Sequence, residues 1–256
     1  MFLRRLTSSL KEQHWTTIVI ELAIVIVGVF IGTQVSNWNQ ARVEKRETQR
    51  MIDQLVPEIA SQINFFETAR VYYRTTRHYA DQAFAGWRRD PKISDEQFVI
   101  AAYQASQIYG IGTNAQNWAL AFGGGQLRNI DNKKLRRNLA LVVTADYDPV
   151  GFAAVSTDYR EMVRHIIPIE LQDRIRDECG DRNVFREGFA STISLPATCN
   201  IKLDPRQVAA TAAKLRSRMD LVDELQWHLA AEATYLANVD GLEYQMLALK
   251  RSIEQR

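Results

Sequence analysis

The sequence predicts an all-α protein: one N-terminal transmembrane helix running into a long helix, followed by a multi-helix bundle. Three observations predict it. Trp15 and Trp38 bracket an apolar run in which nothing from Leu22 to Ile31 carries a polar side chain. Beyond residue 50, apolar residues recur every three or four positions almost to the C-terminus. With 46% hydrophobic and 24% charged residues, the roughly 215 residues outside the first 40 suffice for one domain with its own core.

The stretch 15–38 makes about 35 Å of helix, slightly more than the ~30 Å hydrocarbon core of a bilayer. Tryptophan at both ends suits the interfacial aromatic belt, so Trp15 and Trp38 are the expected membrane-interface anchors. The cationic start (Arg4, Arg5 and Lys11) also suits a secretory signal. No A-x-A-like site follows, however, and the helical pattern continues through Trp38, so the reading is an uncleaved signal anchor. Arg42, Lys45, Arg46 and Arg50 nearly balance the leading cations, which leaves the positive-inside count undecided. Large domains translocate largely regardless of charge. Together with the cysteines below, this favours a single-pass protein of the bacterial inner membrane, N-terminus cytoplasmic and large domain periplasmic.

Within the span, Thr17, Glu21, Val25, Gly28, Gly32 and Ser36 step by three or four residues and form one stripe. Val19, Ala23, Ile26 and Phe30 form an opposite, lipid-compatible face. Gly28 and Gly32 make a G-x-x-x-G, which lets another helix approach closely. Glu21 is the ionisable residue of the span. It has three readings: snorkelling to the near interface, pairing with a cation or donor on a partner helix, or carrying protons or ions. Pairing is the leading one, and the stripe is the expected partner-helix interface.

The following elements are read in order. Residues 1–14 are expected to be a cytoplasmic tail, 39–50 a polar helical stalk, and 51–256 the periplasmic helical-bundle domain. Within the stalk, Arg42 to Arg50 is polar on every face except Val43, as in a solvent-bridging helix, and lifts the domain by roughly 13 Å. Its cations can also meet anionic headgroups. The apolar period resumes at Met51, Ile52, Leu55, Ile59 and Ile63 and runs through Trp87 to a stop at Asp90-Pro91. Pro57 should kink or restart that helix near Val56. Ser94 with Gln97 reads as a capping box ahead of Phe98, Ala101, Ala105 and Ile108. Asp131 or Asn132 caps a segment with Leu135, Leu139 and Val142. Phe152, Val155, Tyr159, Met162 and Ile166 form another run, broken at Pro168. Between 180 and 203 the period lapses, with a small hairpin near Thr192 to Leu195. Asp204-Pro205 is an N-cap and N1 pair. The last helix carries Val222, Leu225, Leu229, Ala233, Leu236, Val239, Met246 and Ile253, with Gly241 as a weak point.

Cys179 and Cys199 are the two cysteines. In an oxidising compartment they can close a loop of about 20 residues, worth ~3 kcal/mol. In the cytosol the same pair reads as two free thiols. Neither has a Cys or His at metal-ligand spacing.

Motifs with chemistry are mostly imitations. Gly123-Gly124-Gly125 lacks the Lys-Ser/Thr of a phosphate loop, and Gly110, Gly112 and Ala115 follow helix where a dinucleotide fingerprint needs a strand. Asp146, Asp148 and Gly151 open like an EF-hand loop but fail at Val150 and Thr157, so a turn around Pro149 is expected. His14, His78, His165 and His228 are scattered. Tyr72, Tyr73, His78, Tyr79, Phe84 and Trp87 read as core packing in preference to a ligand pocket. The net charge of +2 gives no nucleic-acid footprint. No metal, cofactor or catalytic residue is expected.

The span's Glu21, Val25, Gly28, Ile31, Gly32, Gln34, Trp38 and Asn39 resemble the pattern E-x-x-x-V-x-x-G-x-x-I-[AG]-x-Q-x-x-x-W-N of an uncharacterised bacterial family of single-span, membrane-anchored helical proteins. The similarity extends weakly through Gly125-Gln126-Leu127 and the final helix; Pro57 departs from it. The resemblance implies an architecture and supplies no activity. The function expected is therefore a non-enzymatic accessory or assembly subunit of an inner-membrane complex. Its partners would be the lipid bilayer and an integral-membrane protein, or a second copy of itself. The alternative is a periplasmic ligand-binding or sensory bundle acting through another protein.

Overall fold

The computed structural model describes residues 15–110 and 115–255. The tail expected at 1–14, with His14, lies outside these residues, as does Gly112. Helix α1 (Trp15–Trp87) runs 73 residues in one piece. Residues 15–47 form a rod that is exposed throughout, about 50 Å of helix, and only its last residues, near Glu44, Lys45 and Glu47, meet the rest of the described chain. Burial begins at Thr48 and continues at Ile52, Leu55, Ile59 and Phe66. The stalk's upper end is thus already part of the body, where a turn of 3-10 helix at Gln126–Asn129 and the loop before it cover Thr48.

Pro57 does not restart the helix. Pro57 and Asp53, to which it offers no amide, both face solvent, while Ile52, Leu55 and Ile59 anchor the opposite side. Packing on that side holds the axis across the missing hydrogen bond. The helix closes three residues before Asp90-Pro91. Arg89 takes a left-handed conformation (φ 57°), Asp90 N–H donates to the Ala85 carbonyl at 3.0 Å, and Arg89 N–H to that of Gly86 at 3.2 Å. That is a Schellman close built without glycine.

Helix α2 (Asp95–Gln104) starts at the expected capping box, with Ser94 and Gln97 exchanging both bonds. It does not carry the expected single stripe. Every residue from Phe98 to Gln104 is buried, Ala105 is already the C-cap, and Ile108 is buried in the loop beyond. The reason is position: α2 lies between α1, α7 and α5, so every face is covered. Helix α3 (Ala115–Gly123) buries Trp118 and Phe122.

Helix α4 (Lys133–Val143) is capped by Asn132, which accepts from Lys134 and Leu135 N–H. Asp131 instead pairs with Lys45 of the rod at 2.9 Å. The run expected from Phe152 to Ile166 is two elements, a 3-10 turn at Phe152–Val155 and α5 (Asp158–Ile166). They part at Ser156 and Thr157, whose backbone is extended. Helix α6 (Ile169–Cys179) follows Pro168. The hairpin pairs β1 (Arg182–Val184) with β2 (Thr192–Ser194) antiparallel, Asn183 opposite Ile193. Helix α7 (Pro205–Ser217) is capped by Asp204 as its sequence requires, and α8 (Asp220–Glu254) closes the bundle.

The two long helices form the spine: α2 and α8 pack on the body half of α1, α4 and α5 on α8, and α7 on α2. Arg70 of α1 ties the pair together through Asp240 and Glu243. Helix α8 passes through Gly241 unbroken, and a Cβ there would meet nothing within 4 Å. Gly241→Ala is therefore expected to stabilise the protein by about 0.5–1 kcal/mol, through lower unfolded-chain entropy and better helix propensity. A raised urea midpoint at unchanged m-value is the readout, and a lowered midpoint contradicts it.

Candidate functional site

The exposed rod carries every residue expected at a partner interface. Among the described residues, α1 is the helix long and apolar enough to cross a membrane, with a mean hydropathy of 2.4 over its best window. Thr17, Glu21, Val25, Gly28, Gly32 and Ser36 are all exposed on it. Because the helix is continuous there, their spacing puts them on one edge. Apart from the backbone of their own helix and their chain neighbours, neither Gly28 nor Gly32 has a described atom within 4 Å of where a Cβ would stand. No other described residue fills the shallow, side-chain-free strip on that edge. Trp15 and Trp38 stand exposed at its two ends, and the Arg42 guanidinium lies 5.5 Å from the Trp38 ring.

Inside the body, the cysteines are joined: Cys179 ends α6 and bridges to Cys199 beyond the hairpin. The hairpin region is also pinned to α1. Tyr72 hydroxyl donates to Asp181 (2.9 Å), Tyr79 hydroxyl to the Pro196 carbonyl (2.9 Å), and Arg186 to Asn64 Oδ1 (3.0 Å). Of the aromatic cluster, Tyr72, Tyr73, Tyr79 and Trp87 are core, while His78 is exposed against Gln82. Tyr73 hydroxyl both donates to the Tyr109 carbonyl and accepts from its amide. Burial raises the phenols of Tyr72 and Tyr73, and pushes Tyr109 up to about 12.

Sequence reasoning missed a buried polar cluster across α1, α5 and α8. Thr157 Oγ1 lies 2.7 Å from His228 Nδ1, and Thr76 Oγ1 donates to Glu232 at 3.3 Å. His228 Nε2 is 3.1 Å from Glu232 Oε1. That contact is within ion-pair distance but off the line of a hydrogen bond, so Nε2 has no hydrogen-bond partner. Hydroxyl, imidazole and carboxylate stand in the order of a nucleophilic triad. Yet His228 has no exposed surface and Glu232 has 4%, so no substrate reaches the imidazole without displacing packed side chains. The arrangement fastens three helices. A signal for it existed: His228 and Glu232 are polar residues i, i+4 on the apolar face that carries Leu225, Leu229 and Leu236.

Burial holds the Glu232 carboxyl above the usual carboxylate range, against the opposing pull of His228, Thr76 and Arg77. A raised acid contributes stability that is fully present below its unfolded value, near 4.5, and is lost as pH rises through the folded value. Glu232→Gln should therefore gain on the wild type as pH rises from about 4 to about 8. Urea midpoints across that range check it, and parallel profiles for the two proteins contradict it.

The described residues hold no group of three or more His, Cys, Asp or Glu side chains placed to bind a metal ion. Gly123 ends α3, and Gly125 (φ 98°) turns the chain into Gln126–Asn129, where it sits against the rod. The turn around Pro149 is a 3-10 turn opened by Asp146 accepting from Asp148 N–H. No protein-family model, curated protein or solved structure matches the chain.

Proposed function

We propose that this chain is a non-enzymatic accessory or assembly subunit of a bacterial inner-membrane protein complex. Residues 15–38 cross the bilayer, the N-terminus is cytoplasmic, and the helical body lies in the periplasm. One observation supports the reading: an acid-and-glycine edge runs along a stretch of helix, residues 15–38, that is exposed on every side among the described residues. Lipid tails gain little from a glycine strip and disfavour a carboxylate, whereas a second helix uses both. The disulfide agrees with an oxidising compartment for the body. The span's resemblance to single-span anchored proteins agrees with the architecture.

Under this reading Glu21→Leu and Gly28→Leu each abolish co-purification with the partner in mild detergent, while the body's melting temperature stays unchanged. Leu at 28 fills the strip and holds the helices apart; Leu at 21 removes the polar contact. Retention of the partner by both variants at wild-type levels contradicts the proposal. Recovery of a second copy of this chain in place of another protein makes the complex a homo-oligomer.

A further inference from the structure

The edge that carries Gly28 and Gly32 does not end at the membrane. Beyond Ser36 it continues by steps of three and four residues through Asn39, Val43, Arg46, Arg50 and Asp53. Burial fixes that register independently at the body end: Asp53 and Pro57 are exposed, while Thr48, Ile52, Leu55 and Ile59 are buried on the opposite side. The body therefore flanks the rod from behind and leaves this edge open. It closes above Pro57, where the hairpin loop crosses it. There Ala190 N–H donates to Ser61 Oγ at 3.2 Å, and Arg186 donates to Asn64 Oδ1 at 3.0 Å. From Trp38 to Pro57 the open edge is about 28 Å of helix.

The residues along that open edge say what covers it. Val43 is the apolar residue between Arg42 and Arg50, it is 42% exposed, and it falls on this edge. Of the stalk's four cations, Lys45 on the body side pairs with Asp131, and Arg42 lies over the Trp38 ring. The two on the edge, Arg46 and Arg50, make no ion pair or side-chain hydrogen bond among the described residues. Glu47, three residues before Arg50, instead lines the groove between the rod and the turn at Gln126–Asn129. Arg46 and Arg50 stand about 12 and 18 Å of helix beyond Trp38, whereas the headgroup layer extends about 5–8 Å past the hydrocarbon. Lipid phosphate is not at their level.

What fits is a helix that leaves the bilayer alongside this one. It is small or apolar where it meets Gly28, Gly32 and Val43, and acidic where it meets Arg46 and Arg50. A second copy of the chain does not fit. Inserted with the same orientation and related by a two-fold axis, it would set Glu21, Arg46 and Arg50 each against its own counterpart, and like charges in register repel. Given the docking function above, on which this rests, we propose that the partner is a different membrane protein. Its spanning helix continues about three turns or more into the periplasm and there presents Asp or Glu to Arg46 and Arg50.

The test places a benzophenone amino acid at Val25 or at Val43 of the full chain, irradiates intact membranes and sequences the adducts by mass spectrometry. The expected result is the same membrane protein at both positions, joined at 43 through a peptide just outside one of its spans that carries Asp or Glu. Arg46→Glu/Arg50→Glu should cut the adduct at 43 about fivefold. The body's melting temperature should stay unchanged, since both side chains are exposed. Changing the partner's acids to Arg should then restore the adduct. At 43, an adduct to a second copy of this chain, or to a peptide without an acid, overturns the proposal. So does a yield indifferent to the charge reversal, a reversed partner that does not restore it, or silence at 43 while 25 labels. Silence at both positions overturns the docking function itself, and is distinguishable from every outcome above.

Discussion

Truncating Phe98 to alanine lowers the stability of the helical body by about 3–5 kcal/mol, the largest single-residue effect expected in this protein. Phe98 is fully buried in α2, its ring edge-on to Trp87 at 5.1 Å, with the Arg216 guanidinium 4.8 Å above it. It also fills the space that Gly86 of α1 leaves open, since a Cβ at Gly86 would overlap the ring. The two residues are one packing unit. Gly86→Ala alone should cost about 1–3 kcal/mol by overpacking, and much less once Phe98 is already alanine. Urea denaturation of the wild type, both single variants and the double variant measures this coupling. Costs that simply add would show that the ring and the glycine do not constrain each other.

Loss of the Cys179–Cys199 bridge is the second large effect, about 3 kcal/mol for a loop of this length. At roughly 2–4 °C per kcal/mol, that is a drop in Tm of about 6–12 °C. Reductant and the Cys179→Ser/Cys199→Ser double variant should act alike, and reductant should do nothing further to the variant. Because Tyr72, Tyr79 and Arg186 still hold the segment to α1, the helical core should keep its circular dichroism below the transition. Amide exchange should quicken first between residues 180 and 203. A Tm indifferent to reductant contradicts this account of the hairpin.

Much of the architecture was legible because it rests on local chemistry. The Ser94–Gln97 box, the Asp204-Pro205 start and the apolar period of the two long helices are each written within a few consecutive residues. Position in the fold hid the rest. Helix α2 is covered on every side, so its sequence shows a continuous apolar run, FVIAAY, instead of a face. Pro57 looked like a break because the sequence does not show that its side of the helix faces solvent. The polar cluster drew Thr76 and Thr157 to α8 from 156 and 71 residues away, which no spacing rule anticipates. The turn at Gln126–Asn129 likewise comes to lie beside Thr48 from far along the chain. In contrast, the stripe from Thr17 to Ser36 was readable in full, since helical spacing alone determines which of its residues share an edge.

That edge is the centre of the account, and site-specific photo-crosslinking tests it most directly. A benzophenone amino acid is placed at Val25, on the glycine-bearing edge, or at Phe30, on the opposite face, and irradiated in intact membranes. Protein adducts at position 25, with position 30 yielding none, are the predicted result. Adducts at both positions alike, or at neither, would contradict it.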